Sequence, residues 1–215
     1  MRRYFGWKGL SLIIKLESIN DLEVLLHNTN DMCKQQYETL VKLAEEIEDE
    51  EAKQQFYDFS SDNFILYEDT LPRINKYSIL INLWTHLEYS VFQLANEAIS
   101  ELRLNAVNVR GQGFNDYLNF LRDNVEKNLV SSEKEEEIEI LRVIRNRIVH
   151  SNGFVDRENK AKQQVDAIKY VESNELLSFS EDDRIIMSNY FVEECLDLAS
   201  EIIEEIHNEI YKSGE

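Results

Sequence analysis

With 215 residues, 43% of them hydrophobic, the chain is long enough for one domain with a real core, or for one domain with an elaboration. A single proline and six glycines are few for a loop-rich or all-β protein, and the Glu/Lys/Leu/Ile-rich stretches point to an all-α fold. The formal charge of −19 repels polyanions on average and argues against a general nucleic-acid coat protein. Screening confines a surface charge to roughly 8 Å, which leaves room for a local basic site.

The start, Met1 to Lys8, has the basic character of a leader peptide. The apolar run that follows, Leu10 to Leu16, is interrupted by Lys15 and has no small-residue cleavage site, so no signal peptide is expected. No stretch approaches the ~18 apolar residues of a membrane-spanning helix. Cys33 and Cys195 are far apart and have neither metal-ligand spacing nor the pattern of a disulfide framework. A cytoplasmic protein without a metal or cofactor is expected.

Apolar residues at helical spacing predict a helix over 18–49, through Ile19, Leu22, Leu25, Leu26, Tyr37, Leu40, Val41, Ala44 and Ile47, with Ser18 or Asn20 as its cap. Helix continues over 50–70, with Phe56, Phe59, Phe64 and Tyr67 as its buried side. Pro72 punctuates the chain and opens a new helix at about 73–104. Ile74, Tyr77, Ile81, Trp84, Leu87, Val91, Leu94, Ala98 and Leu102 form its stripe, widened by Ile79, Leu80, Leu83 and Phe92, so this helix is expected at the centre of the fold.

A loop is expected over 105–113 and a helix over 114–128. Ser132 with Glu135 reads as a capping box that starts the next helix, which Asn152-Gly153 ends. A short helix over 159–170, a two-stranded hairpin over 176–187 and a last helix over 188–212 complete the chain. The division is an N-terminal helical extension, residues 1–71, packed on a helical domain, residues 72–215.

Arg142, Arg145, Asn146, Arg147 and His150 crowd the end of the helix that Asn152-Gly153 stops. Judged from charge placement alone, these cations complement the helix dipole, by roughly 0.3–1 kcal/mol each. From Arg142 to Lys162 six basic residues face two acids, whereas Ser131 to Leu141 holds five acids and one lysine. A positive island therefore sits on an otherwise negative molecule. At 100° per residue Asn146 and His150 lie about 40° apart on the helix and Arg145 about 140° from His150. Arg145 and His150 meet only if the arginine curls around or if two copies face each other. On the central helix, Glu88 needs a partner if buried. Arg142 or Arg145 would supply one, as a structural ion pair or as support for a site. His86 reads as a satisfied core or rim histidine.

Arg145-Asn146-x-x-x-His150, at the end of a helix and followed by Ser-Asn-Gly, resembles the arginine, polar residue, spacer, histidine motif of the HEPN superfamily of helical nucleotide-binding domains. The long upstream helix with Leu87-Glu88 is similar to that family's earlier core helix, and the resemblance covers about residues 73–212. It implies a HEPN-like helical bundle working as a homodimer. It also implies a metal-independent endoribonuclease of the toxin or phage-defence type, with RNA as substrate and an antitoxin or defence protein as partner. Arg145, Asn146 and His150 would be catalytic, Arg142 and Arg147 would bind substrate, and Glu88 would support them. The alternative within the same resemblance is a non-catalytic module that binds a nucleotide or a protein partner.

Overall fold

The structure is a computed structural model that describes residues 7–104, 113–159 and 161–212. Helices α1 (Trp7–Glu45), α2 (Glu50–Ile65) and α3 (Leu71–Glu101) are followed by α4 (Phe114–Asn124), α5 (Ser132–Ser151) and α6 (Lys162–Ser173). A hairpin of β1 (Leu177–Phe179) and β2 (Ile185–Met187) then leads into α7 (Asn189–Lys212). The fold is all-α, with this one small sheet among the described residues, as the composition predicts. The loop expected over 105–113 lies, apart from Gly113, outside the described residues. No helix among the described residues is long and apolar enough to cross a membrane.

α1 starts well before the predicted cap. The apolar run Leu10 to Leu16 belongs to it, and Ser18 lies inside, donating from Oγ to the Ile14 carbonyl at 3.3 Å. A serine that bonds the carbonyl four residues back satisfies its hydroxyl without ending the helix. Ile19, Leu26, Cys33 and Ala44 form the buried side, whereas Leu25, expected there, is exposed. The chain breaks after Glu45, and the Asp49 carboxylate starts α2 by accepting from the Ala52 N–H at 2.8 Å.

Of the aromatic side expected for α2, Phe59 is 90% exposed. Phe64 instead packs edge-on against Tyr37 of α1, their ring centroids 5.6 Å apart. Pro72 does not punctuate the chain. Between α2 and α3, Leu66–Thr70 forms a π-helical turn in which the Leu71 N–H bonds the Leu66 carbonyl, so the chain stays helical from Glu50 to Glu101. A proline donates no hydrogen bond and its ring crowds the carbonyl four residues back, that of Glu68. Widening one turn relieves both effects without breaking the helix.

α3 is the central helix. Ile79, Leu80, Leu83, Leu87, Val91, Leu94, Ala95 and Ala98 are fully buried, and α1, α4, α5 and α7 pack around it. Removing each Leu, Ile or Val from water contributes roughly 1.5–3 kcal/mol. Ile74, expected on the stripe, is instead about half exposed near the start of the helix. Ile19 and Leu26 of α1 belong to the same core as α7's Phe191, Leu198, Ile202, Ile206 and Ile210. The N-terminal helix is therefore built into the core of the rest of the chain.

Ser131, not Ser132, caps α5: its Oγ accepts from the Lys134 N–H at 3.3 Å. Glu135 does not complete a box but pairs with Arg122 of α4. The helix stops where expected. Asn152 takes the left-handed conformation (φ 50°, ψ 40°), Gly153 follows at φ 78°, and both backbone N–H groups reach the Arg147 carbonyl. The chain then runs along the hairpin. The Ile185 N–H donates to the Gly153 carbonyl at 3.0 Å, and α3 holds β2 by bonds from Tyr77 Oη to the Ile185 carbonyl (2.6 Å) and Lys76 Nζ to the Met187 carbonyl (2.8 Å).

Candidate functional site

α5 presents its charged residues on different sides. Glu139, Arg142, Val143 and Asn146, spaced three and four apart, form a stripe facing α6, and His150 extends it by one more turn. His150 is exposed at the end of the helix. Arg145 leaves this stripe and is half-buried. Its Nη1 donates to Oδ1 of Asn146 at 3.0 Å, and its Nε is buried with no hydrogen-bond partner. Arg145 and Asn146 are thus brought together by a side-chain hydrogen bond between sequence neighbours. His150 stays apart from Arg145, as the helical angle predicts.

The positive island is smaller in three dimensions than in the sequence. Arg142 is engaged by Glu139, through Nε at 2.7 Å and Nη2 at 2.5 Å, and this bond raises its already high pKa. Arg157 pairs with Asp183 at 2.8 Å and lies over the Phe179 ring. Arg145, Arg147 and Lys162 pair with no carboxylate among the described residues, and Lys160 lies outside them. Arg147, expected to bind substrate, is buried and donates to Gln163 of α6.

Glu88 does not take the expected partner. Arg142 pairs with Glu139 instead, and Arg145 bonds Asn146. Glu88 and Arg142 line a common cavity of about 230 Å³ between α3, α4 and α5, with Trp84 and Phe114 on its wall. Half-buried and facing this opening, the carboxylate keeps access to water and does not require an ion pair. His86 is satisfied, its Nε2 lying 2.8 Å from the Lys15 carbonyl.

A second cavity, of about 240 Å³, lies between α5 and α6 and includes Asn146 and Arg147. Larger hollows lie elsewhere. One of about 590 Å³ between α5 and α7 is walled by Glu133, Glu137, Glu194, Asp197 and Glu201, which would repel a phosphate. The chain matches no known protein family, no curated protein and no solved structure.

The contribution of α6 is not legible in the sequence. Lys162 and Gln163 reach the Asn146 side of α5, and only the packing of α6 on α5 brings them there. The charge balance over 142–162 includes Lys162 but does not place it. Gln163 carried no signal.

Proposed function

We propose that this chain is a metal-independent endoribonuclease of the toxin or phage-defence type, built on a HEPN-like helical domain and working as a homodimer. The observation that carries the reading is Arg145, a guanidinium with no carboxylate partner among the described residues, bonded to Asn146 and five residues before the exposed His150. A permanent planar cation left without an anion suits a phosphodiester. An exposed histidine can exchange a proton with substrate near neutral pH.

In this mechanism His150 removes the proton from a ribose 2′-hydroxyl, and the 2′-oxygen attacks the adjacent phosphorus. The bond to the 5′-oxygen breaks, and that oxygen takes up a proton from the second His150 of the dimer. The products are a 2′,3′-cyclic phosphate and a 5′-hydroxyl. Arg145 neutralises the charge that builds on the non-bridging oxygens, and Asn146 holds the guanidinium in place. Arg145 and His150 lie about 140° apart around α5, so the arginine of one copy serves the histidine of the other. Exposed Val149 and Phe154 lie on either side of His150 in the sequence and supply apolar surface for a two-fold contact.

The test is to incubate wild type and His150→Ala with total RNA or tRNA in EDTA. Cleavage by wild type alone, leaving cyclic phosphate ends, is the expected result. Intact RNA with both proteins removes the ribonuclease reading. Saturable nucleotide binding in that case would make the chain a non-catalytic binding module.

A further inference from the structure

Arg147 keeps only 8% of its surface exposed. A guanidinium does not lose its charge at any accessible pH. A charge so far out of water needs an opposite charge or a full set of acceptors. Its bond to a side chain is Nη2 to Oε1 of Gln163, at 3.3 Å, a long contact to a neutral amide. It has no carboxylate partner among the described residues.

The cavity beside Arg147 is lined by Asn146 and Arg147 of α5 and by Lys162, Gln163 and Asp166 of α6. Glu139 also lines it but is engaged by Arg142. Arg147 and Lys162 therefore share the cavity with one carboxylate that forms no salt bridge among the described residues, that of Asp166, whose charge also acts on Arg142. Asn146 Oδ1 accepts from Arg145, which leaves its Nδ2 to donate.

The start of α6 adds an independent feature that favours an anion. Its N-cap, Ala161, has no capping group, and its first turn holds no acid. The first helical residue is Lys162, a charge opposite to the one the dipole favours there. Lys162, at the start of this helix, and the buried Arg147 guanidinium line the same opening. This is the electrostatic setting in which helix N-termini hold phosphates. A volume of about 240 Å³ equals roughly eight waters at ~30 Å³ each, enough for a phosphate group with part of its ester substituent.

We propose that the α5–α6 cavity is a phosphate-binding subsite. Arg147 and Lys162 take the non-bridging oxygens, and Asn146 Nδ2 donates to a third position. Asn146 belongs both to this subsite and to the proposed motif, so the phosphate sits one turn before His150. As an anchor for an RNA strand the subsite rests on the ribonuclease reading, whereas phosphate binding itself does not. The phosphate comes from an RNA strand or from a free nucleotide.

The full chain is titrated with inorganic phosphate, with adenosine 5′-monophosphate and with a short 2′-O-methyl RNA that cannot be cut, by calorimetry and thermal melting. Wild type binds phosphate saturably. Lys162→Ala weakens it ~10-fold or more, the loss of one charge-assisted hydrogen bond. Gln163→Glu sets a carboxylate against Arg147, which raises the melting temperature and abolishes phosphate binding. Both substitutions are at exposed positions, so the variants fold. Tighter binding of the RNA than of the nucleotide assigns the phosphate to a strand, and the reverse order assigns it to a free nucleotide. No saturable phosphate binding by wild type, or unchanged affinity in Gln163→Glu, overturns the subsite. Phosphate binding that responds to both variants while RNA stays intact in EDTA keeps the subsite and removes the nuclease. Cleavage that depends on His150 but ignores Gln163→Glu does the opposite.

Discussion

Gly153 and Tyr77 approach so closely that a Cβ on Gly153 would lie 2.0 Å from the Tyr77 hydroxyl oxygen. The same hydroxyl donates to Ile185, and Ile185 donates back to the Gly153 carbonyl. The end of α5, and with it His150, is thus registered against both the central helix and the hairpin. Gly153→Ala must strain a φ of 78° and displace the tyrosine. A loss of about 3 kcal/mol is expected, read from urea unfolding. The cost should shrink in a Tyr77→Ala background, because the clash is then gone.

Tyr77→Phe keeps the ring and removes the bond to Ile185. Leaving that buried carbonyl unpaired is expected to cost about 1–3 kcal/mol. Hydrogen exchange should report the damage locally, as faster exchange in β2 than in α7. Equal acceleration throughout would mean that the bond does not hold the hairpin specifically.

Glu97 of α3 accepts from Ser11 (2.8 Å) and Lys15 (3.0 Å) of α1 and from Tyr211 (3.0 Å) of α7. Burial by itself would raise its pKa, but these bonds and the Lys15 charge outweigh burial and hold the carboxyl below its usual value. The unfolded carboxyl titrates near ~4.3. Its contribution to stability is therefore fully present above that pH and is lost as pH falls through the lower native value. Acidification also relieves the repulsion of a chain at −19. The comparison is therefore between wild type and Glu97→Gln: their difference in urea midpoint should be largest at pH 6–7 and vanish in strong acid. A constant difference across that range would show that the shift does not govern stability.

Both thiols are buried, and burial raises the pKa of each, for Cys195 with added repulsion from Glu194 and Glu137. Reaction needs a thiolate that reagent can reach. In native protein at pH 8 a thiol-disulfide reagent should label neither cysteine quickly, and in urea both. Rapid labelling of Cys33 without denaturant would reveal local opening of α1.

His150 is exposed and has no side-chain hydrogen bond or ion pair among the described residues. His150→Ala should cost less than about 1 kcal/mol, the size of a helix-end charge effect. Thermal melting checks this directly. A small change makes any loss of RNA cleavage a chemical effect, whereas collapse of the fold would make that variant useless as a probe.

Elements with a long apolar period were legible without the tertiary fold. α3 and α7 fall where Leu87, Leu94, Ile202 and Ile210 predict them, and Asn152-Gly153 ends α5 because only a left-handed pair closes the helix there. Ends and faces decided by competition were not legible. Ser131 and Ser132 are equivalent as letters, and Pro72 reads as a break until a π turn absorbs it. Phe59 looks like core until α2 is packed with that face outward.

The same division holds at the candidate site. The sequence by itself determined that Arg145, Asn146 and His150 lie near one helix end, and that Arg145 and His150 point different ways, because a helix turns 100° per residue. Only the tertiary structure decided which charges are already spoken for. Arg142 is held by Glu139, Arg157 by Asp183, and Arg147 is buried beside α6 with a glutamine. Charge along a chain is additive, but the field at a site depends on which opposite charges packing brings within a few ångströms. That dependence cannot be read from spacing in the sequence.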